Sequence, residues 1–115
     1  VALDKFPDRE FHLFWGARSM DDLYLNNEVR RWSDTHRNLS YTPVLSEPKA
    51  EDNWEGETGF VHEVVLRQYP ELGDFEVYAS GPPDMIAAIR MCFVESGLSP
   101  ERLYFDSFEF AAKAI

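Results

Sequence analysis

Apolar runs alternate with helical repeats along this chain, and that alternation constrains its fold more than its composition does. The runs are Glu10–Gly16, Leu39–Leu45, Phe75–Ser80 and Leu103–Asp106. Between them lie a helical pattern opening at Ser19, another over Phe60–Tyr69, and a third carrying Ile86, Ile89 and Phe93. Strand–helix alternation predicts an α/β domain: a parallel sheet with helices on both faces, in three layers. The first run is apolar at nearly every position, as suits a strand covered on both sides. Pro43 cannot donate to a ladder, so its strand is expected at a sheet edge or with a bulge. The chain opens within an element, since Val1–Phe6 reads as the end of an amphipathic helix.

Local signals refine these elements. Ser19 with Asp22 three residues later resembles a capping box. The helix it would open is expected to bury Leu25, Val29 and Trp32, leaving Asn26, Asn27, Arg30, Arg31 and Asp34 to solvent. Val61, Val64, Val65 and Tyr69 are the core candidates of the next helix. Gly97 is a good left-handed cap for the third, with Pro100 beyond it. Cys92 is most simply a small apolar residue of that helix, His12 a satisfied strand histidine, and His62 an ordinary first-turn residue.

The chain has 115 residues, 44% of them apolar and 15% aromatic, which fits one packed domain over residues 1–115. Its net charge of −10 argues against nucleic acid and anionic membrane as partners. No apolar run is long enough to cross a membrane as a helix. A lone cysteine excludes an internal disulfide and fits a reducing, cytoplasmic setting. No Cys pair, helically spaced His pair or fixed-offset carboxylate cluster suggests a metal.

The stretch Val77-Tyr78-Ala79-Ser80-Gly81-Pro82-Pro83-Asp84-Met85-Ile86 runs from a strand through a tight turn into a helix. Proline is tolerated at a first helical position, and Gly81 permits close approach above the strand end. Ligands of open parallel sheets bind at such ends, and helix N-termini favour anions. Ser80 lacks the glycine two residues earlier that a nucleophile elbow needs. Arg18 lies in a strand-to-helix turn, where it either meets a ligand or pairs with Asp21 or Asp22. The long polar connection from Ser46 to Thr58 has the length of a functional loop, and Trp54 within it either pins the loop or covers a ligand. The residues alone imply a nucleotide- or anion-binding α/β domain.

Taken together, five stretches resemble the ferredoxin–NADP reductase-like family of flavoenzymes. Val77–Ile86 resembles its nicotinamide-side motif. Leu13-Phe14-Trp15-Gly16-Ala17-Arg18, followed by Asp22-Leu23-Tyr24, resembles its second strand and the helix after it. The set Trp54, Gly56, Gly59, Phe60 and Val61 resembles the loop and helix before its fourth strand, and Leu103-Tyr104-Phe105-Asp106-Ser107-Phe108 its C-terminal strand. The subtype resembled is the NADH-dependent reductase of bacterial oxygenases and deoxysugar-forming systems. Such enzymes join this module to a flavin domain and a plant-type iron–sulfur domain.

The resemblance implies hydride transfer from NADH to a flavin, FAD in this subtype, on a domain outside the chain. Electrons would pass on to a 2Fe–2S domain or a separate electron-accepting protein. By position, Ser80, Gly81, Pro82 and Met85 would lie beside the nicotinamide ribose and pyrophosphate. Arg18 would contact ribose or phosphate, and Ser46 and Glu47 would face the adenosine ribose. A carboxylate at 47 would favour NADH over NADPH. Asp106 and Phe108 match the C-terminal acid and the aromatic that stacks near the flavin. Ser80 stands where many members carry cysteine, and the chain runs seven residues beyond Phe108. The family's first strand and glycine-rich loop would precede Val1, so this chain alone is expected to be inactive. The competing reading is a non-catalytic interaction module that keeps the fold without the cofactor.

Overall fold

A computed structural model describes residues 9–107. The backbone separates into two compact units, Val1–Val64 and Val65–Ile115.

In the first unit, strand β1 (Phe11–Ala17) pairs in parallel with β2 (Leu39–Leu45), in unbroken register from Phe11↔Leu39 to Ala17↔Leu45. A two-residue strand, β3 (Glu57–Thr58), joins the far side of β2 at Val44 and Leu45. This strand arises inside the connection expected to be an irregular loop. Asn38 accepts from Phe11 N–H at 2.7 Å and Ser46 N–H donates to Ala17 at 2.9 Å, so even-numbered residues around β2 turn their polar groups towards β1. Leu45 accepts from Gly59 on the other side, at 3.1 Å. Alternation therefore turns Pro43 away from β1, towards the edge that β3 reaches only from Val44 onward. The missing N–H leaves no ladder bond unmade, and the expectation of an edge position holds for that segment.

The helix expected from Ser19 begins later. Met20–Asp22 forms a 3₁₀ turn, and α1 runs Asn26–Thr35. Ser19 makes no side-chain cap; instead the Met20 N–H donates to Asp52 Oδ2 at 3.3 Å, a carboxylate far along the chain. The later start changes the buried face. Val29 is buried as expected, but Leu25 is only half-buried and Trp32 is 48% exposed. Asn26, expected in solvent, is 7% exposed, and its Oδ1 accepts from the Tyr41 hydroxyl at 2.9 Å. Ser33 Oγ likewise donates to the Leu39 carbonyl at 3.3 Å. The inward stripe is thus Asn26, Val29 and Ser33, with its polar members satisfied by β2. Burial raises the Tyr41 pKa, while Arg30, 5.8 Å from the ring centroid, draws it back.

Helix α2 (Val61–Gln68) carries the boundary between the units. Val64 is fully buried, whereas Val61, Val65 and Tyr69 are half-buried. Gly16 meets this helix closely: a Cβ there would lie 2.9 Å from the Val61 Cβ.

The second unit contains β4 (Val77–Gly81), α3 (Pro83–Glu95) and β5 (Leu103–Ser107), with β4 and β5 parallel. Phe75 and Glu76, expected in the strand, lie in the turn before it, where Phe75 N–H donates to Leu72 at 3.1 Å. The core joins Leu72, Ile86, Ile89, Phe93, Leu98 and Leu103, with Val77 and Ala79 packed against it. Gly97 ends α3 at φ 100, as expected of a left-handed cap. The Gly97 and Leu98 N–H groups donate to Val94 and Phe93, both at 3.0 Å, and Leu98 is buried, which is the Schellman pattern with its apolar contact. Among the described residues β1–β2–β3 and β4–β5 form separate sheets, all parallel. The fold is mixed α/β, and these strands occupy nearly the segments the sequence predicts.

Candidate functional site

The sequence-predicted residues gather in two groups, one in each unit. In the first unit, the two chain segments stay joined just beyond the β1–β2 ladder, although its alternation breaks there. Ser46 N–H donates to Ala17 at 2.9 Å and Glu47 N–H to Arg18 at 2.8 Å. Arg18, Ser46 and Glu47 therefore stand together at the carboxyl ends of adjacent parallel strands. Arg18 and Glu47 are exposed and Ser46 is half-buried. Of the two carboxylates offered as alternative partners for Arg18, Asp21 instead meets Lys49 Nζ at 2.8 Å. Asp21 raises the Lys49 pKa, first through that hydrogen bond and then through its charge, with smaller contributions from Asp52 and Asp22.

The connection after Glu47 is ordered by its own contacts. Asp52 Oδ2 accepts from the backbone N–H of Lys49 at 2.9 Å as well as from Met20 at 3.3 Å. Asn53 takes a left-handed conformation, φ 46 and ψ 46, which asparagine tolerates better than most residues. Trp54 pins the loop: its Nε1–H donates to the Glu57 carbonyl at 2.8 Å. A Cβ on Gly56 would fall 2.7 Å from the indole, so glycine makes room for the ring. A shallow groove of about 420 Å³ opens here, lined by Pro48, Lys49, Ala50, Asn53, Trp54 and Glu55. Sequence reasoning missed Asp52. Its only sequence signal is an acid three residues after the residue whose N–H it accepts.

In the second unit, Ser80 and Gly81 end β4, paired with Asp106 and Ser107 of β5. Ser80 and Pro82 are exposed, and Gly81 is buried. A Cβ on Gly81 would overlap the Met85 Cε, so the glycine admits the Met85 thioether against the strand end. Pro82 is the N-cap of α3 and Pro83 its first residue. Two of the four N–H groups that a helix start normally leaves free are therefore missing, and those of Asp84 and Met85 remain. Asp84 also puts a carboxylate in that first turn. The helix start is a weaker anion site than its position suggests. Phe108 lies outside the described residues.

The remaining titratable candidates have structural roles. His12 Nε2 lies 2.7 Å from Thr42 Oγ1, its ring stacks on Phe14 at 4.0 Å, and burial lowers its pKa. Cys92 is half-buried against the second unit's core. Among the described residues, no group of three or more His, Cys, Asp or Glu side chains could hold a metal ion. No helix among them is long and apolar enough to cross a membrane.

Comparison with known proteins identifies the family. The family described as oxidoreductase NAD-binding domain matches residues 1–91. The CDP-6-deoxy-L-threo-D-glycero-4-hexulose-3-dehydrase reductase of Yersinia pestis is 36% identical over 108 residues, covering 94% of this chain and 32% of that protein. A component of the Na⁺-translocating NADH-quinone reductase of Pseudoalteromonas atlantica is 35% identical, covering 88% of this chain and 26% of the relative. The chain thus spans about a third or less of the length of these relatives. Among solved structures, the Amycolatopsis cytochrome P450 reductase GcoB superposes with a TM-score of 0.83 at 27% identity, over 93% of this chain and 31% of that one. The ferredoxin reductase of carbazole 1,9a-dioxygenase gives 0.70 at 28% identity, over 88% and 30%. The chain belongs to the oxidoreductase NAD-binding domain family, in the form found in ferredoxin reductase-like reductases.

Proposed function

We propose that residues 1–115 form one nicotinamide-nucleotide-binding module of a cytoplasmic flavoprotein reductase. The nucleotide, NADH, supplies a hydride to a flavin, FAD, on another domain of the same polypeptide. Electrons then leave singly for a 2Fe–2S domain or an oxygenase-type partner protein. The main support is the Glu47 N–H to Arg18 carbonyl bond of 2.8 Å, which brings the backbones of a basic and an acidic residue together at the carboxyl ends of two parallel strands. That pair fits a dinucleotide: the guanidinium suits its phosphates, and the carboxylate can accept from a ribose hydroxyl. Ser46 borders the same ribose. Ser80, Gly81, Pro82 and Met85 line the nicotinamide end, with Asp106 and Phe108 on the flavin side. In this reading hydride transfer needs the flavin domain, so residues 1–115 by themselves do not oxidise NADH.

Nucleotide binding to the full-length protein tests this, read by energy transfer from tryptophan to reduced nicotinamide. Arg18→Ala should weaken NADH binding about tenfold, the loss of one charge-assisted contact. Absence of NADH binding in the unmodified protein would favour an interaction module that keeps the fold without the cofactor.

A further inference from the structure

We infer that Asp52 is a positioning residue for the nucleotide site, a carboxylate clamp that holds the two loops carrying Arg18 and Glu47 at a fixed spacing. The inference rests on the nucleotide-binding reading of those residues and goes beyond it, since Asp52 itself touches no nucleotide.

Asp52 lies at the end of the short 3₁₀ turn Ala50–Asp52, in the connection after β2. One oxygen of its carboxylate accepts two backbone N–H groups, from Lys49 at 2.9 Å in its own loop and from Met20 at 3.3 Å in the loop after β1. Each donor lies two residues from a residue proposed to meet the nucleotide: Met20 follows Arg18, and Lys49 follows Glu47. The Glu47 N–H to Arg18 carbonyl bond, at 2.8 Å, joins the same loops at the strand ends. The chain from Arg18 to Met20, the carboxylate of Asp52, and the chain back through Lys49 to Glu47 thus close a hydrogen-bonded ring. Ser19, within it, is 5% exposed. A second tie, Lys49 Nζ to Asp21 at 2.8 Å, bridges the same loops. It runs between side chains 50% and 73% exposed, so it adds little by itself. Asp52 is half-buried, and its two bonds are charge-assisted.

Loops at strand ends otherwise move independently, and ordering them on binding costs affinity. A carboxylate that spans them before ligand arrives removes part of that cost. The predicted signature is therefore a change in nucleotide affinity with little change in the rate of the bound complex.

Rapid anaerobic mixing of the full-length flavoprotein with increasing NADH separates the two, through the apparent Kd and the limiting rate of flavin reduction. Asp52→Ala should raise the Kd five- to twentyfold with a limiting rate within twofold of the unmodified protein. Asp52→Asn keeps a side-chain acceptor and should recover most of the affinity, to within about threefold. Combined with Glu47→Gln, Asp52→Ala should raise the Kd by less than the product of the single effects, because both act through one loop. An unchanged Kd in Asp52→Ala, with weakened binding in Arg18→Ala, would overturn the clamp alone. An unchanged Kd in both would overturn the nucleotide site and the clamp with it. Equal losses in Asp52→Ala and Asp52→Asn, multiplicative with Glu47→Gln, would also overturn it.

Discussion

Ser80 and Asp106 are direct partners in the parallel β4–β5 ladder, at the carboxyl ends of their strands. The register brings the residue proposed to sit beside the nicotinamide level with the acid proposed for the flavin side. Ser80 is exposed at that end. A hydroxyl can orient a ring without reacting, so Ser80→Ala is predicted to slow flavin reduction two- to fivefold, about 0.4–1 kcal/mol of barrier. The NADH Kd should stay within twofold. An unchanged rate would make Ser80 a turn residue only.

At Gly81 the constraint is steric. A Cβ would meet the mobile end of the Met85 side chain rather than backbone. Gly81→Ala should therefore cost no more than about 1 kcal/mol of local stability, the low end of the range for overpacking. Hydrogen exchange of the Val77–Ser80 amides would report it. Met85→Ala should relieve the clash, so the double variant should lose less than the two single losses added together. Additive losses would show that Met85 does not occupy the space above Gly81.

The strands were legible because burial is written into composition: β2 and β5 lie close to the expected segments, and Gly97 caps α3 as a left-handed glycine must. The first helix was misread because Ser19 and Asp22 form a local capping pattern, whereas the Asp22 N–H donates to the Ser19 carbonyl and the Met20 N–H is taken by Asp52, 32 residues away. Such a contact leaves no periodic trace. The same displacement hid Asn26, whose burial is tolerable only because Tyr41 reaches it from β2. At the candidate site, Arg18 and Glu47 could be named separately from the resemblance. Their backbone bond lies past the end of the β1–β2 ladder, where the alternation breaks, and no periodic pattern in a single sequence marks it.

His12 should give the first unit a pH dependence. Burial sets its folded pKa below the ordinary 6.5. Above 6.5 the ring is neutral in both folded and unfolded chains, and the stability is fully present. As pH falls below 6.5 towards the folded value, the unfolded chain gains its proton first and stability is lost. Protection of the β1 and β2 amides against hydrogen exchange, corrected for intrinsic rates, should decline across that window and do so less in His12→Gln. A His12 titration midpoint at or above 6.5 by NMR would contradict the assignment.

The central claim is that this chain presents NADH to a flavin, and flavin reduction by the two dinucleotides tests it most directly. Glu47 is exposed beside Arg18, where a carboxylate would repel a 2′-phosphate and accept from a free ribose hydroxyl. Unit charges 4 Å apart interact by about 4 kcal/mol at an effective dielectric near 20, and about 1.4 kcal/mol is already tenfold. Stopped-flow reduction of the full-length protein should therefore proceed at least tenfold more efficiently with NADH than with NADPH, and Glu47→Arg should narrow or reverse that ratio. Preference for NADPH in the unmodified protein, or no flavin reduction by either nucleotide, would contradict the account.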